Sequence, residues 1–391
     1  MRQRTRRFSS RFVIVALAVA ACAPAGPAAS VPTATVPTAV PPSDPVASAS
    51  QRPSDEPLVP VSGRLFLGRL AGPVEHYVTL AGGVEQELFQ AEGCHPCVWP
   101  SNDGRFFGHP APFGTDSAAI IVDTTTSTET QVPRTADGVY LGSGPWSPDD
   151  ERLVRGGWHE TDASKRGLWV AAVDGSGATQ LTVNPEGTQH EPLAWSPVAD
   201  QILYFVETNG DAPGHLGDLW RVAATGGKPR KLNPDGVLVE GFIWHGAVGS
   251  FSSDGASVAF VGFDPESGPA QRAVFVATRD AEATRITDWT PDMRSALWSP
   301  VDDRILYDGT GASGYAIRTI RGDGSDDREL ANAASAGVSG SGIWSPDGTQ
   351  IMFQRGEHPG ADLFVMELDG SVVGRVVPTS GAWFWYRWTR G

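Results

Sequence analysis

Apolar residues along this chain come in short runs, either alternating or continuous, each cut off by a turn rich in Gly, Pro, Asp and Ser. Ile305-Leu306-Tyr307, Ile351-Met352-Phe353 and Leu363-Phe364-Val365-Met366 are examples. Runs this short, bounded by turn residues, predict β-strands and exclude a helical fold. The runs also repeat. One fifteen-residue phrase starts seven times, at His76, Ala119, Leu168, Leu219, Ala273, Ala316 and Leu363. A second phrase alternates with it, anchored at Trp99, Trp146, Trp195, Phe251, Trp298, Trp344 and Trp388, in steps of 47, 49, 56, 47, 46 and 44 residues. A period of this size predicts a stacked or ring-shaped repeat architecture.

The clearest unit spans Ile343 to Val377. Its Ser345-Pro346-Asp347-Gly348 has the chemistry of a type I turn: a side-chain acceptor first, fixed φ second, and Gly fourth where positive φ costs little. A strand follows, then a polar loop, a second strand, a Gly turn and a fourth strand. Each unit is therefore predicted to be a four-stranded antiparallel meander, with strands A to D. One such sheet cannot bury both faces, but copies packed around an axis can, and the large Trp of each anchor is suited to filling the space between them. The chain opens with a strand-like Gly63–Leu67 and a C–D phrase that no Trp phrase precedes, and it ends on the Trp phrase Trp388-Thr389-Arg390-Gly391. The last strand is thus expected to supply the missing A strand of the first blade, which removes a free sheet edge. The fold class expected is all-β, a seven-bladed β-propeller of four-stranded antiparallel blades over residues 61–391, with six or eight blades as alternatives.

The W-S-P-D-G turn followed by D-G-S resembles the repeats of TolB-like propellers, over about residues 60–391. The resemblance implies this fold and leaves activity open, because such repeats occur in binding proteins, in peptidase gating domains and in a few enzymes. TolB itself carries six blades and an extra N-terminal domain, so its role in envelope translocation is not carried over. A few seven-bladed propellers of this repeat type are metal-dependent lyases acting on acidic oligosaccharides through His over the central channel. That makes a metal-dependent polysaccharide lyase the alternative to a binding module.

Arg2, Arg4, Arg6, Arg7 and Arg11 precede the apolar run Phe12–Ala21, too short to span a bilayer. Residues 1–21 therefore predict an export signal. Val19-Ala20-Ala21-Cys22 resembles a lipobox, which implies acylation at Cys22 and a lipid anchor at the outer membrane or cell surface. Residues 22–60, rich in Pro, Ala, Ser and Thr, are expected to form a semi-extended tether. The chain holds 30 basic and 45 acidic residues, net −15, and loss of the five signal arginines leaves 25 against 45, or −20. So acidic a surface disfavours nucleic acid and anionic lipid as partners, with the N-terminal lipid the one expected link to a membrane, and is explained by keeping an exported domain soluble.

Cys94 and Cys97, the other cysteines, lie in Glu92-Gly93-Cys94-His95-Pro96-Cys97. An exported chain favours a local disulfide there. A redox pair would need a helix after the first Cys, where a strand is expected. A metal site with His95 lacks a fourth ligand.

No G-x-S-x-G and no H-E-x-x-H occurs. The one G-x-G-x-x-G, at Gly309, Gly311 and Gly314, is followed by a strand rather than a helix and reads as a hairpin. No catalytic residue, cofactor or metal is assigned. All eight His lie near the B–C or D–A loops, opposite the rim of SPDG and DGS turns: His76, His109, His159, His215 and His358 near the first, His95, His190 and His245 near the second. Trp158, Trp244, Trp289 and Trp383 share that side. Longer loops have room for variable residues, which explains the bias without function. The functional reading is a ligand face with His190, His245 and Arg294 nearest the axis, His159, His215 and His358 further out, and Trp158 and Trp289 for stacking. The partner expected is an envelope protein or a glycan.

Overall fold

Each predicted repeat forms one antiparallel sheet. The computed structural model describes residues 58–71, 74–81, 83–91, 98–111, 116–198, 201–207, 216–241, 249–266, 271–311, 314–356, 361–377 and 382–391. All of these lie within the compact unit Arg52–Gly391. They build a seven-bladed propeller, and the only helices among them are the four-residue Ala333–Ala336 and a 3-10 turn at Ala163–Lys165. Blade 1 combines Arg64–Ala71, Val74–Ala81 and Val84–Ala91 with the C-terminal strand Ala382–Thr389. Blades 2 to 7 follow in chain order, with inner strands at Trp99–Pro100, Tyr140–Leu141, His190–Trp195, Gly249–Phe251, Ala296–Trp298 and Ile343–Trp344. The 56-residue step into blade 5 has a structural cause: Val239–Glu240 adds a strand, paired with Leu216–Gly217 of blade 4.

Strand alternation explains why the second strand of each blade reads as nearly continuous apolar sequence. Both of its faces are buried, each in a different core. In blade 5, Val258 and Phe260 enter the core shared with blade 4, and Ala259 and Val261 enter the one shared with blade 6. In blade 7, Ile351 and Phe353 face blade 6, and Met352 faces blade 1. The cores therefore lie between sheets, so no blade can be stable alone.

The anchors tie blades together by hydrogen bonds as well as by area. Trp146 Nε1–H donates to Trp99 O at 2.7 Å, and Trp344 Nε1–H to Leu297 O at 2.9 Å, each reaching the preceding blade's inner strand. The A–B turns are stapled by their buried Ser. In blade 7 the Ser345 N–H donates to Gln350 O at 2.8 Å, the Gln350 N–H returns to Ser345 Oγ at 2.9 Å, and Ser345 Oγ donates to Asp347 at 2.7 Å. Ser101, Ser147 and Ser252 repeat the pattern with Phe106, Arg152 and Ser257. Gly348 closes its turn at φ +70°, the left-handed position expected of the fourth residue.

Ring closure occurs as the phasing predicts. Ala382–Thr389 pairs antiparallel with Arg64–Ala71, matching Trp388 to Leu65 and Thr389 to Arg64. Trp388 Nε1–H donates to Ser62 O at 2.6 Å, and the Arg390 N–H donates to Asn102 O of blade 2 at 3.1 Å. The G-x-G-x-x-G segment is a strand hairpin in which Gly311 pairs Gly314.

Candidate functional site

The B–C loop of blade 3 builds the best-defined surface feature on the rim of long loops. Trp158 ends the strand Arg152–Trp158 and is 53% exposed, so the fold has left a large indole in solvent. The Arg166 guanidinium lies 3.8 Å from its ring centroid. That guanidinium is itself held, donating to His159 O at 2.9 Å and Glu160 O at 3.0 Å. His159 locks the loop through both ring nitrogens. Nδ1 accepts from the Asp162 N–H at 2.9 Å, which makes Nε2 the protonated nitrogen and donor to Asp137 O at 3.1 Å. Asp162 then caps the 3-10 turn by accepting from the Ser164 N–H at 3.0 Å.

Strand register places a second aromatic beside the first, because Tyr140 pairs with Trp158 across the blade. The Arg134 guanidinium stacks 3.8 Å from the Tyr140 ring, and the Tyr140 hydroxyl donates to Glu160 at 3.1 Å. Arg134 also pairs with Asp116 at 3.1 Å. Next to it lies a cleft of about 400 Å³ lined by Asp116, Ser117, Gln131, Pro133 and Arg134. The result is a platform of two rings, each backed by a guanidinium, with carboxylates and an amide at its edge.

The other rim residues named from sequence do not join this platform. His190 opens the inner strand of blade 4 and is buried. The Thr182 hydroxyl accepts from the Leu168 N–H at 3.0 Å and shares a hydrogen bond with His190 Nδ1 at 2.8 Å. Burial lowers the His190 pKa to about 4. Trp289 packs on Phe275 at 5.9 Å and is half-buried against the core between blades 4 and 5. Arg294 is exposed, 5.5 Å over the Tyr315 ring, and its loop hangs on the fully buried Asp308 carboxylate. Asp308 accepts from the N–H groups of Arg294 and Ser295 at 2.6 and 3.1 Å. His215, His245 and His358 lie outside the described residues, as do His95, Trp244, Cys22, Cys94 and Cys97. Among the described residues no three His, Cys, Asp or Glu are grouped to hold a metal ion.

Tyr140, Arg134 and Arg166 were not singled out from the sequence. Their only signal would have been register, which pairs Tyr140 with Trp158 across a hairpin of unknown loop length. The opposite rim also holds a feature that sequence reading missed. The anchors and turn prolines converge around the axis on a cavity of about 380 Å³, and Arg387 and Arg390 line it.

No protein-family model matches the chain, and the search of curated proteins found no match. Solved structures do match. An oligogalacturonate lyase in complex with manganese aligns at TM-score 0.55 and 18% identity, over 78% of this chain and 86% of that one. The oligogalacturonate lyase of Vibrio parahaemolyticus aligns at TM-score 0.51 and 13% identity, over 78% and 91%. A TolB from Agrobacterium tumefaciens is also a neighbour, at TM-score 0.43 and 17% identity, over 69% and 93%. At these identities the likeness is one of fold.

Proposed function

We propose that this chain is an exported, lipid-anchored propeller that binds an envelope glycan or protein through its B–C and D–A rim. The observation that carries the reading is Trp158, an exposed indole on a loop that His159, Asp162 and Arg166 hold in place before any ligand arrives. A preformed surface avoids the cost of ordering a loop on binding. The flat faces of Trp158 and Tyr140 suit the apolar face of a sugar ring or an extended peptide. Asp116, Glu160 and Arg134 supply acceptors and donors for hydroxyl or amide groups at its rim. Arg294 adds an exposed guanidinium to the proposed face, His190 and Trp289 stand behind it, and His215, His245 and His358 are candidates for it from the sequence alone.

The basic, then apolar, N-terminus ending at Cys22 supports export and acylation. Cys22→Ser is expected to move the protein from the membrane to the soluble fraction, and labelled lipid failing to attach to the wild type would refute the anchor. The lyase alternative needs a metal centre. His109, His159 and His190 stand on three different blades, with His159 using both ring nitrogens and His190 its Nδ1. Among the described residues no three His, Cys, Asp or Glu are grouped to hold one.

The deciding experiment is a pull-down from separated polysaccharide and protein fractions of the envelope, run with wild type and Trp158→Ala. Capture from one fraction that falls at least about tenfold in the variant supports the reading. Equal capture by both proteins rules out the platform. Metal retained after dialysis from excess zinc or manganese would favour the lyase.

A further inference from the structure

The residue just before each anchor holds the same position in the repeat, and all but Val98 line a cavity around the axis. Read around the ring these are Val98, Pro145, Ala194, Ser250, Leu297, Ile343 and Arg387. Six are uncharged, and blade 1 alone puts a guanidinium there. Arg387 lines the axial cavity of about 380 Å³ and a second of about 230 Å³ beside it, which Ser250, Leu297 and Ile343 also line. Among the described residues no Asp or Glu lines either one, although the chain carries 45 acidic residues. Arg390, exposed at the chain end, is the only other charged residue among the described residues that line the larger cavity.

The half-buried Arg387 pairs with Phe66 through its backbone, but its guanidinium makes no hydrogen bond or ion pair among the described residues, and desolvation lowers its pKa with no opposing charge. Arg155, buried in blade 3, shows how the same fold treats a guanidinium that serves structure. It donates to Gly142 O at 2.9 Å and Val173 O at 3.0 Å. A desolvated charge left without a partner is costly, and a channel walled by indoles and prolines offers it little compensation. An anion would supply that compensation, and the low-dielectric walls would strengthen the pairing.

We propose that the axial channel is an oxyanion site in which Arg387 receives a carboxylate or phosphate group. The guanidinium fork matches two oxygens of either group at once. Arg390 stands beside it as a second positive charge, drawing anions into an otherwise acidic protein. This site lies at the A–B turn end of the ring, opposite the Trp158 platform, so the two readings stand or fall separately.

The test uses the full mature chain, titrated with inorganic phosphate and with acetate at constant ionic strength. Intrinsic Trp fluorescence is the readout, since Trp146, Trp195 and Trp388 line the cavity. Saturable binding of at least one anion is expected, weakened at least about tenfold in Arg387→Gln and less in Arg390→Gln, and unchanged in Trp158→Ala. Which anion saturates decides between phosphate and carboxylate. Arg387→Leu guards against misfolding, because blade 6 already has Leu297 at this place. Its melting temperature should equal or exceed that of the anion-free wild type, and added anion should raise only the wild type's. Linear responses to both anions, or equal affinity in Arg387→Gln, would overturn the proposal.

Discussion

The two rims of this propeller are built on different terms. The A–B turns repeat one device, a buried Ser that bonds across its hairpin and to an Asp two residues on, so Ser101, Ser252 and Ser345 are close to interchangeable. The described B–C and D–A loops share no such device. Each is held by its own residues: His159 and Asp162 in blade 3, Thr182 with His190 in blade 4, Asp308 in blade 6. A turn whose side chains are committed to closing a hairpin has little left for a ligand. Loops with individual solutions can leave a Trp158 in solvent. Arg387 is the instructive exception, since it sits at a repeated position and departs from what the other blades place there.

The largest expected effect removes the ring both rims depend on. Deleting residues 382–391 takes away the inner strand of blade 1 and the partly buried Trp388 with it, and leaves Arg64–Ala71 as an open edge, so a large share of typical domain stability is expected to go. A melting temperature equal to that of the intact chain would mean that closure does not hold the ring. Next come the staples. Ser147→Ala or Ser345→Ala leaves backbone groups of a closed hairpin unpaired, an expected loss of about 1–3 kcal/mol in urea unfolding with partner binding unchanged. Partner binding lost in step with stability would erase the distinction between the rims.

The rims should also separate along the pH axis. His190 has its folded pKa lowered to about 4 by burial, against an ordinary value of 6.5. Above pH 6.5 it is neutral in both states and costs nothing. As pH falls from 6.5 toward 4 the unfolded chain takes up a proton that the folded one refuses, so stability drops, on the order of 1–2 kcal/mol after screening. His190→Gln should flatten that decline in unfolding measured at pH 7 and pH 5. The turn carboxylates act lower. Asp149, Asp254 and Asp347 have lowered pKa values because Ser hydroxyls donate to them. Their contribution is present above the unfolded value of 3.8 and is lost only as pH falls below it. A pH 7 to 5 decline that His190→Gln leaves intact would place the titrating group elsewhere. The smallest effect on stability belongs to Trp158→Ala, within about 0.5 kcal/mol of wild type, as an exposed side chain requires. A larger loss would mean that the indole is structural.

Much of the fold was legible because each repeat states its own local rules. The SPDG chemistry marks the A–B turn, the strand runs show two buried faces, and the phasing of the Trp phrases at the two chain ends announces the exchanged strand. Less of the site could be read. Listing His and Trp by loop could not say that His190 is committed to Thr182 and Trp289 to Phe275 while Trp158 stays half exposed beside Arg166. Exposure depends on what packs against a side chain, and those partners come from other strands.

The sequence by itself determined the repeat, the blade count, the turn type and the way the ring closes, because these follow from local turn preference and from the order of strands along the chain. Only the tertiary structure decided which polar groups are spent and which remain available. The Tyr140–Trp158 register, the Arg134 and Arg166 stacks and the unpaired Arg387 among uncharged neighbours each join residues from separate strands or separate blades. Such pairings exist only once the ring has brought those strands together.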